Sequence, residues 1–473
     1  MKKFTLLCLA LLTIQSSLSQ TTEKNRVIIL SDIEADPDDT QSFVRLFLYA
    51  NEIDIKGIVA TTSCWMQTTI NPNSIEKIVD AYGKIQPNLL KHQKDYPSAE
   101  ALRSIIKEGL PKYGMTGVGD GMDSEGSDWI ISELEKDDDR PLWISVWGGV
   151  NTLAQSLHKI KNTKSIKDAK KLISKLRVYT ISDQDDSGLW IRNNFPDVFY
   201  IVSPGDNYED ATWTGVNTFI KGIDNTTISN EWLADNIQQN HGPLGAIYPD
   251  VAWGVEGDTP AFLSLIPNGL NESEHPNRGS WGGRYELYKP DFSKTKKGNS
   301  IVEIGAEKRA IWTNAIDNYT PHIPSKYGRS VKPDSTSFTG FKETLWRWRD
   351  DFNNDFAARM DWCTMSFENA NHPPVPVLSH PQEFEVKSGQ AFTLDALDST
   401  DPDGDNLSFL WFHYPEESSY KEKINLGADN VHIVHATAPK VTKKETLHFI
   451  LKVTDKGSPA LSRYKRVIVT VTP

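Results

Sequence analysis

From Arg26 to about Pro204 the chain alternates short β-branched, aliphatic runs with amphipathic stretches, and that alternation leaves few folds open. Val27-Ile28-Ile29-Leu30, Ile55 to Thr61, Leu142 to Val146, Arg177 to Ser182 and Val198 to Val202 read as strands. Between them Ile75, Ile78, Val79 and Tyr82 fall at i, i+3, i+4 and i+7, and Leu153, Ala154 and Leu157 repeat the spacing, each set marking the apolar stripe of a helix. Strands separated by such helices predict an α/β domain with a mainly parallel sheet covered by helices. Sheets of this kind take ligands outside the carboxyl ends of their strands, so function is sought in the loops there.

The rest of the chain differs. From His241 to about Tyr327 it is rich in Gly, Pro and Trp with weak periodicity, as expected of long loops around a site. At residues 369–381, NANHPPVPVLSHP, prolines and turn formers interrupt all periodicity, and we take 371–381 as a linker after a main domain of residues 20–370. Beyond it, EFEVKSGQAFTLDALDS, LSFLWFHY, ETLHFILKVTD and YKRVIVTVTP alternate apolar and polar residues, predicting a small β-sandwich over 382–473.

The first 19 residues, two lysines followed by an apolar run from Phe4 to Ile14 and a small-residue end, read as a secretory signal peptide cleaved before Gln20. No later run approaches the roughly 20 apolar residues of a membrane-spanning helix. A secreted protein without membrane insertion is therefore expected. Only Cys64 and Cys363 follow the signal, too few for a disulfide framework, and they form either one bridge or two buried thiols. A net charge of −12 argues against nucleic acid as a partner and is compatible with a cation site.

The most informative segment is Ser31-Asp32-Ile33-Glu34-Ala35-Asp36-Pro37-Asp38-Asp39, lying between an apolar strand and the helix Thr40 to Asn51. Its carboxylates repel one another unless something positive stands among them. A hard divalent cation serves best because it takes carboxylate, carbonyl and water oxygens together. The plainer alternative is a solvated loop whose Asp residues cap the helix.

This segment resembles the Asp-rich motif D-x-D-x-x-x-D-D that follows the first strand of the nucleoside hydrolases. The fuller string SDIEADPDDTQSFVRLFLYANEIDIKGIVATTS is more similar to the secreted branch described as cellulose-binding proteins with a nucleoside hydrolase-like domain. VWGGVNTLAQSL (146–157), YTISDQDDSGLWIRNNFPDVFYIVSPG (179–205) and EGDTPAFLSLIPNGLNESEHPNRGSWGGRYE (256–286) carry the same resemblance over most of residues 26–370. It implies a nucleoside hydrolase-like open sheet with helices on both faces, a C-terminal immunoglobulin-like domain, and Ca²⁺ as cofactor.

By that resemblance Asp39 binds Ca²⁺ and Asp38 binds sugar hydroxyls. The Asp that binds the ion and activates water matches either Asp36, which we favour, or Glu34, and Asp32 stands behind the ligands. The carbonyl ligand falls at Trp147 or Gly148, and the last Asp ligand at Asp258 in EGDTP, which also suits a helix cap before Pro260. One departure is plain. Several nucleoside hydrolases carry a His before the late Asp to protonate the leaving base, and here Gly257 holds that position while His241 and His275 lie elsewhere.

The DQDDSG loop adds carboxylates to the expected mouth. Asp185 and Asp186 are candidate sugar ligands, or a general acid if burial raises a pKa. Trp190, Arg192 and Asn193 are further candidate binding groups, against a packing or helix-end role. Gly279, Gly282 and Gly283 around Trp281 suit either a sugar-stacking platform or a packed loop with a buried Trp. In DPDGD, Asp401, Asp403 and Asp405 fit an Asx-rich turn better than a Ca²⁺ site.

These features predict a metal-dependent hydrolase of a glycosidic bond, with Asp36 or Glu34 as base and direct attack by water. The missing histidine favours a carbohydrate over a nucleoside. The rival is a carbohydrate-binding protein that retains the fold and ion without the chemistry. A phosphatase ranks lowest, because the chain has no P-loop.

Overall fold

A computed structural model describes residues 23–203, 211–290, 306–324, 331–333 and 336–473; the expected signal segment lies outside them. Eight strands form the central sheet. The first six are β1 (Arg26–Ser31), β2 (Asp54–Ala60), β3 (Ile106–Glu108), β4 (Leu142–Val146), β5 (Leu176–Ser182) and β6 (Phe199–Ser203). The chain steps outward from β1 to β2 and β3, then returns past β1 and continues through β4, β5 and β6, all in parallel. The order is therefore 3-2-1-4-5-6, continued by β8 (Ile311–Asn314) and β7 (Tyr285–Tyr288), with β7 antiparallel to β8. Short runs in a Gly- and Trp-rich stretch carry too little alternation to announce themselves, which is why β7 and β8 fall in the region expected to be loops.

The reversal between β1 and β4 is the topological switch point, where successive connections leave to opposite sides and open a crevice. The acidic loop follows β1 and the Gly148-Gly149 turn follows β4, so sheet order alone brings them together.

Helices cover the sheet as the periodicity predicts. In α1 (Asp38–Leu48) the apolar residues Phe43, Val44, Leu46, Phe47 and Leu48 are buried. In α2 (Pro72–His92) Ile75, Ile78, Val79, Tyr82, Ile85 and Leu89 form the buried stripe, and Pro72 occupies the first turn, where no amide bond is lost. The N-terminus of α4 (Glu125–Glu135) is fixed by a capping box between Ser124 and Ser127. One large apolar cluster lies under α1 and α2, and a second under α4 and α5 (Asn151–Thr163), on opposite sheet faces. Across the described residues no helix is long and apolar enough to cross a membrane.

The C-terminal part is all-β. Strands Glu383–Lys387, Ser462–Thr472, Glu445–Thr454 and Ser408–His413 form one sheet, Ala391–Asp395 and Ile433–Thr437 form another, and Trp411, Leu394, Leu447 and Val469 pack in a common core. Ile450 and Tyr464 join the cluster of the α/β domain. The segment expected as a linker is also anchored. Asn371 is buried, its amide donating to Asp455 Oδ2 and to the Pro459 carbonyl, and its own carbonyl accepting from the Trp362 indole. In the DPDGD turn, Asp401 Oδ1 accepts the backbone N–H groups of Asp403 and Asp405, the pattern of an Asx turn. Cys64 and Cys363 are both free thiols.

Candidate metal and sugar site

The acidic loop turns into α1 so that Asp38 and Asp39 occupy the first helical turn, where the helix dipole favours negative charge. Asp36 Oδ1 accepts the Asp38 N–H at 3.0 Å, and the Ser31 hydroxyl donates to Asp39 Oδ1 at 2.5 Å. Asp258 arrives from a distant segment just before the short helix Pro260–Leu263. Ligand oxygens of Asp38, Asp39 and Asp258 all lie within 4.8 Å of one another, and among the described residues this is the one such group of three.

Three carboxylates this close cannot comfortably all be charged. Burial, and then repulsion from neighbouring carboxylates, pushes Asp39 and Asp258 well above the ordinary range; for Asp38 burial again leads, followed by its contact with Asp36 and the repulsion. Asp258 Oδ2 is buried with no hydrogen-bond partner among the described residues. An oxygen-only donor set with an orphaned buried carboxylate oxygen fits a hard divalent cation, Ca²⁺ being the expected one. Asp258 has only a backbone part in capping, through its carbonyl and the Ala261 N–H at 3.0 Å, which leaves its carboxylate free for the cluster.

What holds Asp258 there is a row of contacts along α1. Gln41 donates to the Pro249 carbonyl and accepts the Glu256 N–H, Ser42 Oγ meets Thr259 Oγ1, and Arg45 Nε meets Glu256 Oε2. Tyr248 and Thr259 donate to the same Glu256 carboxylate. None of these residues was singled out from sequence, although Gln41, Ser42 and Arg45 are polar positions inside an otherwise apolar buried helix. That inconsistency was the available signal.

Glycines set the walls. A Cβ on Gly257 would stand 2.5 Å from Asp38 Oδ2 and 3.3 Å from the Trp213 ring. A side chain at this position, where several nucleoside hydrolases carry a histidine, would require the Asp38 carboxylate to shift. A Cβ on Gly148 would lie 2.6 Å from Asp32 Oδ1, and one on Gly149 would lie 2.5 Å from Asp185 Oδ2. Asp32 stands behind the loop, bonded by Ser63, with burial pushing it up to about 6. The Trp147 carbonyl accepts the Gln184 amide at 2.6 Å, and Gln184 Oε1 is buried without a partner among the described residues.

Other expected groups are placed elsewhere. Glu34 is exposed, at φ 79°, with its carboxylate taken by Ser74 Oγ. Asp185 is buried and up to about 6, chiefly through burial, and it accepts the N–H groups of Ser187 and Asn151 at the start of α5. Its carboxylate locks two loops together, so the expected sugar contact is not what its bonds serve. Asp186 is exposed and accepts the Met115 N–H. Arg192, expected to bind substrate, is instead buried between Asp183, which it grips with two bonds, and Glu307. Trp190 packs half-buried on Phe195, and Asn193 is exposed at the end of α7 (Ser187–Asn194).

Trp281 requires a clear correction. It has no exposed surface, stacking edge-on to Phe352 and Tyr464 and donating its indole N–H to the Tyr464 hydroxyl. A ring enclosed between the two domains offers no face to a sugar.

With this geometry in view, the comparisons are specific. Residues 26–285 match the family described as cellulose-binding Sde182, nucleoside hydrolase-like domain. The chain belongs to this family. Residues 391–471 match the companion description, cellulose-binding protein Sde0182, C-terminal domain. A solved structure from Saccharophagus degradans, described as a nucleoside hydrolase-related hypothetical protein associated with carbohydrate metabolism, is 35% identical. The match covers 95% of this chain and 100% of that one at a TM-score of 0.79, so this Sde182-family chain shares its fold. The effector protein XOO4466 (10% identity, 61% and 89% coverage, TM-score 0.31) and the type III effector XopQ, solved with adenosine diphosphate ribose (12%, 61% and 90%, 0.27), are too remote to carry argument. No curated protein matches the chain.

Proposed function

We propose that this Sde182-family protein is a secreted, divalent-cation-dependent hydrolase of a glycosidic bond in a carbohydrate. The observation that carries the reading is the convergence of Asp38, Asp39 and Asp258, with one oxygen of Asp258 buried and unpartnered. These three residues would hold Ca²⁺, with the Trp147 carbonyl as the further candidate. When bound, the ion lowers the pKa of water and orients sugar hydroxyls. Asp36, half-buried and held beside Asp38, takes the proton from the attacking water, and Asp38 accepts a hydroxyl hydrogen bond. Water attacks the anomeric carbon as the bond to the leaving oxygen breaks, inverting that centre, and the leaving oxygen takes its proton from solvent.

A second reading has its own support. Gly257 stands where a leaving-group acid is expected, and the family is described as cellulose-binding, so a carbohydrate-binding protein that retains the ion is the alternative. Incubation with nucleosides and with plant and algal polysaccharides, with Ca²⁺ or chelator, separates the two. Ca²⁺-dependent release of reducing ends supports hydrolysis. Retention on polysaccharide without product from any substrate supports binding alone.

A further inference from the structure

We propose that Trp65 and Trp253 form the stacking platform for a β-linked glucan chain at the mouth of the acidic site, an inference that rests on the carbohydrate reading of that site. Of the chain's 14 tryptophans, only these two stand mainly in solvent, Trp65 at 58% and Trp253 at 91% exposure. A single exposed aromatic needs no explanation. Here, however, one lies on a loop bonded to the acidic loop and the other in a segment bonded to α1, the helix that carries Asp38 and Asp39.

Trp65 follows β2, the strand beside β1. Its N–H and that of Met66 donate to Ser63 Oγ, whose hydroxyl in turn bonds Asp32. Farther along the same loop, the Asn71 amide donates to the Ile33 carbonyl of the acidic loop. Trp253 sits in the segment that Gln41 of α1 grips at both ends, at Pro249 and at Glu256. Its neighbour Gly254 lies against Asn217, where a Cβ would come 2.5 Å from Nδ2. Each indole is thus presented on an anchored loop.

The chemistry selects the ligand. A β-linked glucopyranose carries its hydroxyls equatorially, leaving axial C–H bonds on both ring faces. Those faces stack on flat aromatic surfaces while the hydroxyl edge remains available to carboxylates. Two platforms on separate loops suit a chain of sugars better than a single ring, and both matched family descriptions name cellulose binding.

The test uses the full chain, titrated with cellohexaose and assayed for retention on microcrystalline cellulose, with Ca²⁺ titration run separately. Trp65→Ala and Trp253→Ala should each weaken cellohexaose binding by roughly tenfold, and the pair by roughly a hundredfold if the sites act independently. Phe at either position should restore part of the loss. Ca²⁺ affinity should stay at the wild-type value. Wild-type glucan affinity in both alanine variants overturns the proposal, as does a wild type that binds Ca²⁺ but no glucan, an outcome that leaves the acidic site intact. Tryptophan-dependent glucan binding without any Ca²⁺ binding would support the platform and remove the metal reading.

Discussion

The Nε of Arg45 lies 2.5 Å from Oε2 of Glu256, and both residues are buried. Glu256 sits at φ 50° two positions before Asp258, while Arg45 also donates to the Phe352 carbonyl and Asn353 Oδ1. One ion pair therefore binds α1, the Asp258 segment and the helix Arg349–Asp361. Removing one partner of a buried pair strands the other charge, at a cost of about 3 to 5 kcal/mol. Glu256→Gln should destabilise the protein by that order in urea unfolding and weaken Ca²⁺ binding, because Asp258 loses its fixed position. Adding Arg45→Met should recover part of the stability without recovering the ion. Unaltered Ca²⁺ affinity in Glu256→Gln would show that Asp258 is held by other means.

The second expectation concerns the repulsion among the triad. Asp258→Asn keeps the shape, removes one charge and gives Asp38 or Asp39 a donor. In chelator the variant should melt at a higher temperature than the wild type. In Ca²⁺ the order should reverse, since a ligand present at about 100 times its Kd stabilises by about 2.7 kcal/mol only the protein that binds it. Equal Ca²⁺-induced shifts in the two proteins would remove Asp258 from the site.

The third follows from Asp185, whose carboxyl burial pushes up to about 6. A carboxyl raised in the folded state stabilises it fully below the unfolded pKa near 3.9, and that contribution is lost as pH climbs through about 6. Asp185→Asn cannot titrate. Its stability relative to wild type should therefore rise between pH 4 and 7, by at most about 3 kcal/mol. Denaturant midpoints measured in chelator across that range provide the check, and a pH-independent difference would contradict it.

How far these sites could be read beforehand depended on how local their causes are. The strand, acidic loop and helix that present Asp38 and Asp39 are contiguous, and their periodicity and charge density are plain in one stretch of sequence. Asp258 was reached only through resemblance to a family, because nothing in EGDTP says that three side chains of α1 will grip the residues on either side of it. Trp281 shows the opposite hazard. Its flanking glycines suited a sugar platform as well as a packed loop, but Cβ atoms there would lie 2.6 Å from the Tyr414 hydroxyl, 2.8 Å from the Pro260 carbonyl and 2.5 Å from Thr212. Those glycines serve close packing around a buried ring. Arg192 was misjudged for a related reason, since its second partner, Glu307, is far away in the chain.

The last expectation separates the two candidate bases, and it rests on where their carboxylates are held. Asp36 lies half-buried with its oxygen on the Asp38 N–H, and it contributes to the repulsion felt by Asp38, Asp39 and Asp258. Glu34 points into solvent and is bonded to Ser74 at the start of α2. If water is activated beside the triad, Asp36→Asn should lower turnover by roughly 10² or more, the usual contribution of a positioned base, while preserving much of the sugar affinity. Glu34→Gln should leave turnover within a few-fold of wild type. Steady-state rates with any substrate found to release reducing ends, together with glucan titrations of both variants, make the comparison. The reverse pattern would move the base to Glu34 and require the acidic loop to close over the substrate. Equal small effects in both would leave the cation's carboxylates themselves, Asp38 first, as the groups next to the attacking water.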